Sequence, residues 1–243
     1  MENLSLPVKA KSKWNTLAIE HVRREVGNYL ILSVVRPEDY SFQAGQHATL
    51  SFTDPVGEFE RSYSIASPPK EEDFLEFCIQ TQNDGRAAAI FKTLKAGDVL
   101  KLSEAKGSFK ISNPNKPLIF IAGGSGISPL RSFTKQLLAE TEDPLSIRLF
   151  YGSRDADGIP FKEELLSLSE SSQGRLSVIL LAEAGEAEGV CRGNTLNALL
   201  EAIEHIPKNA HYYLCGPPNM VQALQTALKE AKVSENAVFV EKY

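Results

Sequence analysis

Cysteine is scarce and scattered: Cys78, Cys191 and Cys215 are the whole complement, and no two form a C-x-x-C pair. That spacing argues against a zinc site, a dithiol redox centre and a cysteine-ligated iron–sulfur cluster. Four histidines, His21, His47, His205 and His211, fall into no H-E-x-x-H or related metal pattern and read as isolated surface or packed side chains. Long apolar runs are lacking as well, and none approaches the roughly 20 residues of a bilayer-spanning helix. The opening MENLSLPVKAKSKW has no apolar segment of the secretory kind, so a cytoplasmic location is the expectation. Positive charge is not in excess either. The net charge is −5, and no Lys/Arg tract with interleaved aromatics occurs, so nucleic acid is not an expected partner.

What the 243 residues do contain is an ordinary globular composition, 42% apolar and 23% charged, long enough for one large domain or two small ones. The pattern changes near residue 112. Before it, NYLILSVV, HATLSF, RSYSIAS, FLEFCIQT and DVLKLSEA alternate with a period near two between Gly, Pro, Asn and Asp turns. Short strands at close intervals imply a small antiparallel β-barrel, interrupted by one helix at AAAIFKTL, 87–94. After it, PLIFIAG is a continuous apolar strand, as expected of a sheet covered on both faces. Helices and strands then alternate to the end, the signature of an α/β doubly wound parallel sheet. The expected domains are therefore 1–112 and 113–243, with the polar stretch SNPNKP (112–117) as the hinge.

Three kinds of segment carry chemistry. LIFIAGGSGISPLRSF joins the first parallel strand to the first helix, where the ligand crevice of such a sheet begins. Gly123, Gly124 and Gly126 permit a tight turn and a close approach. The helix start around Ser128, with Pro129 in its first turn, offers unpaired N–H groups to a diphosphate. Close packing alone would also explain the glycines. YYLCGPPNM places Cys215, Gly216, Pro217 and Pro218 after a later strand, at the same edge. Two specialised loops at one edge suit a dinucleotide. In the first half, Arg61 offers a planar fork for phosphate, Tyr63 an aromatic face and Ser64 a hydroxyl. Strict alternation turns Ser64 away from Arg61 and Tyr63, so a bulge or strand end is needed to bring all three to one ligand. Gly85 opens a second amide-rich helix start.

Together these segments resemble the ferredoxin–NADP reductase superfamily, from about residue 15 to the last. The motifs are R-x-Y-S-x-x-S at 61–67, G-G-x-G-I-x-P at 123–129, C-G-P-P at 215–218 and E-x-Y at 241–243. The resemblance implies a flavin-binding barrel followed by a nicotinamide-nucleotide domain, with FAD as cofactor, FMN as the alternative, and NAD(P)H as co-substrate. It assigns Arg61, Tyr63, Ser64, Ile65 and Ser67, together with Gly85, Arg86, Ala87 and Ala88, to the flavin. Ala88 stands where many relatives carry a hydroxyl, leaving more to the backbone amides. Gly123, Gly124, Ser125, Gly126, Ile127, Ser128 and Pro129 fall to the nucleotide, as do Ser153, Arg154, Cys215, Gly216 and Pro217. Ser64 and Glu241 would manage protons near flavin N5, while Cys215 and Tyr243 set the nicotinamide pose.

The activity implied is hydride transfer from NAD(P)H to FAD and onward transfer to a separate acceptor, whether ferredoxin, flavodoxin or another carrier. The alternatives are a flavin or quinone reductase with a diffusible acceptor, and an electron-transfer subunit of a larger complex. Ser153 and Arg154 could bind a 2′-phosphate, but Glu183, Glu186 and Glu188 at the next strand end would repel it. The expected lean is toward NADH.

Overall fold

The computed structural model describes residues 14–25, 29–70, 73–81, 85–140 and 146–242. Tyr243 lies outside the described residues, as do Gln82, Asn83 and Asp84 before the first helix.

The first half is an antiparallel sheet of β1 (Trp14–Glu25), β2 (Tyr29–Val35), β3 (His47–Asp54), β4 (Gly57–Ser64), β5 (Phe74–Gln80) and β6 (Val99–Ser103), with α1 (Arg86–Thr93) between the last two. The strand order is β4-β3-β6-β1-β2-β5. A bridge from Ile65, just past β4, to Phe77 on β5 joins the outer strands and curls the sheet into a barrel. Inside are Leu30, Leu32, Val34, Leu50, Phe52, Phe77 and Leu102, the alternate residues that the period of two turns to one face. Phe91 of α1 plugs one end, edge-on to Phe52 at 5.2 Å and to Tyr63 at 5.7 Å.

β1 has no counterpart among the expected strands. Of its twelve residues only Ile19 is buried, so the sequence offers no apolar alternation there. The strand nonetheless makes the corner of the barrel. It pairs with β6 over Trp14–Ala18, shifts register between Ile19 and His21, and then pairs with β2.

The second half is a wholly parallel sheet of β7 (Leu118–Gly123), β8 (Ile147–Asp155), β9 (Leu176–Ala184), β10 (Val190–Arg192), β11 (His211–Cys215) and β12 (Val238–Glu241). Its order is β10-β9-β8-β7-β11-β12. The chain runs outward from β7 through α2 (Ile127–Glu140) and α3 (Lys162–Ser171). It returns through α4 (Thr195–Ala202) to β11 and through α5 (Pro218–Glu230) to β12. The direction of winding reverses between β7 and β11, so the ligand crevice of this architecture falls there. All six residues of β7 are buried, as its unbroken apolar run requires.

The halves share one core. Tyr29, Ile31, Ala44, Ala66 and Cys78 of the barrel pack in the same cluster as Phe109, Phe120, Phe133 and Tyr213. Gly45, at φ +88°, meets the Phe109 carbonyl and the Phe133 ring so closely that a Cβ would overlap both. Arg131 of α2 lies almost fully buried beneath this contact. Its Nε and Nη2 donate to Glu164 at 2.7 and 2.8 Å, and Nη1 donates to the Ala66 carbonyl at 2.8 Å and pairs with Glu76 at 2.9 Å. The guanidinium also covers the Phe161 ring at 4.2 Å. Ser132 donates to the Ser67 carbonyl at 2.7 Å. The stretch read as a hinge is fastened at its start, where the Ser112 N–H donates to the Tyr213 hydroxyl at 2.9 Å.

Candidate functional site

Three regions gather the chemistry, and the first is the end of the barrel under α1. Gly85 precedes the helix in extended conformation, no side chain caps it, and no acidic residue lies in its first turn. Its first N–H groups are therefore open to an anion, and the Asp54 carboxylate of this region is paired with Arg86. Arg61 and Arg86, the first residue of α1, both have their guanidinium groups over the Phe59 ring, at 5.4 and 4.3 Å. The two arginines differ in availability. Arg86 is held by Asp54 through contacts of 2.7 and 2.6 Å and also donates to the Gly57 carbonyl at 2.8 Å. That pairing, with the Val56 and Gly57 N–H groups, lowers the Asp54 pKa to about 2. Arg61 donates only to its neighbour's carbonyl and is exposed.

Tyr63 is half-buried beside Phe91, and burial raises its hydroxyl pKa to about 12. Ser64 is buried at the end of β4, where the strand gives way to the Ile65 bridge, the strand end that a common site required. Ile65 and Ala88 are core residues. Ser67 is fully buried, its hydroxyl accepting from the Glu76 N–H at 3.1 Å. A helix start with no acidic residue in its first turn, an exposed guanidinium without a carboxylate partner among the described residues and a neighbouring aromatic ring fit a flavin phosphate and its attached ring system.

The second region is a crevice of about 740 Å³ at the reversal point of the parallel sheet, lined by Gly123, Gly124, Ser125, Ser153, Arg154, Glu183 and Pro217 among others. Its floor is built by close packing of the two loops. A Cβ at Gly126 would overlap the Cys215 carbonyl, and one at Gly123 would lie 2.6 Å from Met220 Sδ. A Cβ at Gly216 would lie 2.9 Å from the Gly123 nitrogen. The glycines thus serve packing first, and the open floor over Gly123–Ser125 follows from it. The helix begins later than the glycines, through a 3-10 turn at Gly124–Gly126, and α2 starts at Ile127. Ile127, Ser128 and Pro129 are buried behind the floor, with the Ser128 hydroxyl donating to the Ser125 carbonyl at 2.9 Å. Cys215 and Gly216 are also buried. Ser153 donates to the Gly158 carbonyl at 3.1 Å, while Arg154 and Glu183 are exposed.

Sequence reasoning missed four parts of this wall. Asn194 and Thr195 enter from the start of α4, and Tyr29 and Gln80 enter from the barrel. The last two are cross-strand partners on β2 and β5. An N-cap signal did mark Asn194, whose side chain accepts from the Asn197 N–H at 3.0 Å. Nothing in the sequence marked Tyr29 or Gln80.

The third region is the seam where the sheets meet. Cys215 on β11 sits in register with Ala122 on β7 and with Glu241 on β12. Glu241 approaches His47 Nδ1 at 3.9 Å, and His47 is the cross-strand partner of Ser64. Ser64, Glu241 and Cys215 are thereby drawn into one neighbourhood, with His47 as a member that its isolated position in the sequence did not suggest. Burial raises the Glu241 pKa, while burial and Lys106 lower that of His47, so both lean toward their neutral forms. Tyr243, the remaining predicted residue, lies outside the described residues.

Among the described residues, no cluster of three His, Cys, Asp or Glu side chains is arranged to hold a metal, and no helix is long and apolar enough to cross a membrane.

Comparison with known proteins gives two family matches. Residues 19–111 match the oxidoreductase FAD-binding domain family and residues 120–226 the oxidoreductase NAD-binding domain family. The reductase component of propane 2-monooxygenase from Mycolicibacterium goodii is 30% identical over 234 residues, covering 93% of this chain and 66% of that protein. The reductase component of phenol 2-monooxygenase from Pseudomonas sp. (strain CF600) is 31% identical over 213 residues, covering 83% of this chain and 58% of that protein. The chain thus spans about three fifths to two thirds of the length of these curated relatives. Among solved structures, a ferredoxin NADP+ reductase from Neisseria gonorrhoeae with bound FAD and NADP superposes with a TM-score of 0.83. It is 24% identical, and the match covers 96% of this chain and 99% of that one.

Proposed function

The chain belongs to the ferredoxin–NADP reductase superfamily, and on that premise we propose that it is an NAD(P)H-dependent flavoprotein reductase serving a separate electron acceptor. FAD, when bound, supplies the chemistry of taking up one hydride, a pair of electrons with a proton, and passing the electrons on. The observation that carries the reading is the crevice at the sheet's reversal point, which opens directly against the barrel through Tyr29 and Gln80. A nucleotide held by residues 113–243 is thus presented to a cofactor held by residues 1–112.

In this reading Arg61 and the amides at the start of α1 hold the flavin phosphates. Tyr63 and Ser64 form the wall along its rings, with Ile65 in the core behind them, and Arg86 acts through its backbone because its side chain is committed to Asp54. Gly123, Gly124 and Ser125 seat the diphosphate of the nucleotide. Cys215 backs the floor beneath the nicotinamide. Ser64, His47 and Glu241 hold or release a proton at the seam, where neutral forms of the two titratable groups suit transfer. The shared core supports one fixed relation between the two ligand sites.

For the acceptor, the relatives named as reductase components support a protein, such as an oxygenase component, over a diffusible quinone. For the donor, Glu183 in the crevice wall supports NADH. A carboxylate about 4–6 Å from a 2′-phosphate in a partly wet site disfavours it by roughly 1–3 kcal/mol. The test is direct. Purified protein should be yellow, release FAD on heating, and oxidise NADH with ferricyanide at a kcat/KM at least tenfold above that for NADPH. A colourless chain that FAD does not reconstitute would overturn the reading, and a tenfold preference for NADPH would overturn the donor assignment alone.

A further inference from the structure

Tyr29 opens β2 on the barrel, yet its phenol reaches the other half of the molecule. The residue is 8% exposed and packs in the shared core, while its edge lines the nucleotide crevice. Its hydroxyl stands over Gly124, which is held at φ +56°; a Cβ there would lie 2.8 Å from Tyr29 Oη. Gly124 therefore owes its identity to two demands, a left-handed backbone and the approach of a tyrosine from the other domain.

Three other buried tyrosines have their hydroxyls satisfied within the protein. Tyr40 donates to the Ser103 carbonyl at 3.0 Å, Tyr151 to the Gly124 carbonyl at 3.0 Å, and Tyr213 accepts from the Ser112 N–H at 2.9 Å. Among the described residues the Tyr29 hydroxyl has no hydrogen-bond partner, and none of the buried side-chain polar atoms lacks one, so this hydroxyl opens to the crevice while its ring is packed in the core. A phenol held with its hydroxyl unpaired in a polar crevice can donate to a ligand acceptor there. Its proton is secure. Burial, with Cys78 nearby, raises its pKa to about 12, against the opposing pull of Arg154 on the same crevice wall. At neutral pH it can only enter as an intact O–H, a donor.

The acceptor that suits this donor is an anionic oxygen resting on the Gly123–Ser125 turn. We propose that Tyr29 is a nucleotide-binding residue supplied by the barrel, its hydroxyl donating to a diphosphate oxygen of the nicotinamide nucleotide. This rests on the reading of the crevice as the nucleotide site. The site is then bipartite. The parallel sheet supplies backbone N–H groups and Arg154, and the flavin domain supplies one side-chain donor from above.

The experiment is isothermal calorimetry of ADP-ribose, which carries the diphosphate without the nicotinamide, on the flavin-loaded protein and its Tyr29→Phe variant. Phenylalanine keeps the ring and its packing, so flavin content and melting temperature should match the wild type. Loss of one hydrogen bond to a charged group should raise the Kd for ADP-ribose roughly tenfold. In turnover the same variant should raise KM for NADH by a similar factor with kcat within about twofold, the mark of uniform binding. Equal ADP-ribose affinity in the two proteins would overturn the role of Tyr29 and leave the crevice assignment standing. Failure of the wild type to bind ADP-ribose at all would overturn both.

Discussion

Arg61 and Arg86 flank one phenylalanine and look equivalent in the sequence, but they differ in what holds them. Among the described residues Arg61 has no carboxylate partner, whereas Arg86 is locked to Asp54. Arg61→Met should therefore weaken FAD binding tenfold to a hundredfold, the loss of a charge-assisted contact of about 1.5–3 kcal/mol. Flavin fluorescence released on dilution measures it. Arg86→Met should cost flavin affinity less and show first as a loosened Asp54 turn. At the seam, Ser64→Ala and Cys215→Ala should both slow flavin reduction by NADH, on the order of tenfold, with flavin still bound. Stopped-flow absorbance reads this, and wild-type rates in both variants would remove them from the reacting geometry. Their means differ. Ser64 loses an oxygen beside His47, whereas Cys215 is fully buried and acts through the shape of the floor.

Single helices and strands show what could be read from the sequence and what could not. The start of α1 was legible because Gly85 and the polar residues before it interrupt an alternating pattern. Its lack of a cap gives it a testable asymmetry. Ala87→Asp places a carboxylate in the first turn, which should stabilise the flavin-free protein by about 0.3–1 kcal/mol through the helix dipole. The same charge should reduce flavin occupancy, so melting temperature and flavin content should move in opposite directions. The parallel sheet and its two loops were legible because each strand is an uninterrupted apolar run closed by glycine. β1 was not, because a twelve-residue strand with one buried side chain carries no periodic signal. The crevice wall was half legible. Gly123 and Pro217 belong to motifs, whereas Tyr29, Gln80 and Thr195 become neighbours only after the chain has folded. His47 escaped for the same reason, since its partners Ser64 and Glu241 come from another strand and another sheet.

For the whole molecule the decisive element is the join. Arg131 is buried, and its charge is maintained because Glu164 and Glu76 outweigh the cost of burial. The same contacts lower the Glu164 pKa despite its own burial. A carboxylate with a lowered folded pKa contributes its stability above the unfolded value of about 4.3, and that contribution fades as pH falls through the folded value below it. Arg131→Met, which leaves two carboxylates facing an apolar side chain, should destabilise the protein by about 3 kcal/mol at pH 7. Urea denaturation at pH 7 and at pH 4 should show the gap between variant and wild type narrowing in acid. Because Tyr29, Ile31 and Ala66 share a core with Phe120, Phe133 and Tyr213, each melt should also be a single transition, with no separate step for the barrel.

The seating of Gly126 on the Cys215 carbonyl, and of Gly216 on Gly123, also governs the timing of binding. Two backbones in van der Waals contact have no looser arrangement nearby to relax into, so the groove between them is present before any nucleotide arrives. Among the described residues, these two loops impose no closing step on an arriving nucleotide. Its observed association rate should therefore rise in proportion to concentration without levelling off, where a lid or hinge would impose a ceiling. Rapid mixing of the flavin-loaded protein with NAD+, followed through the flavin absorbance, would reveal such a ceiling if one existed. A straight line means that the speed of the first encounter is set in solution rather than by the protein.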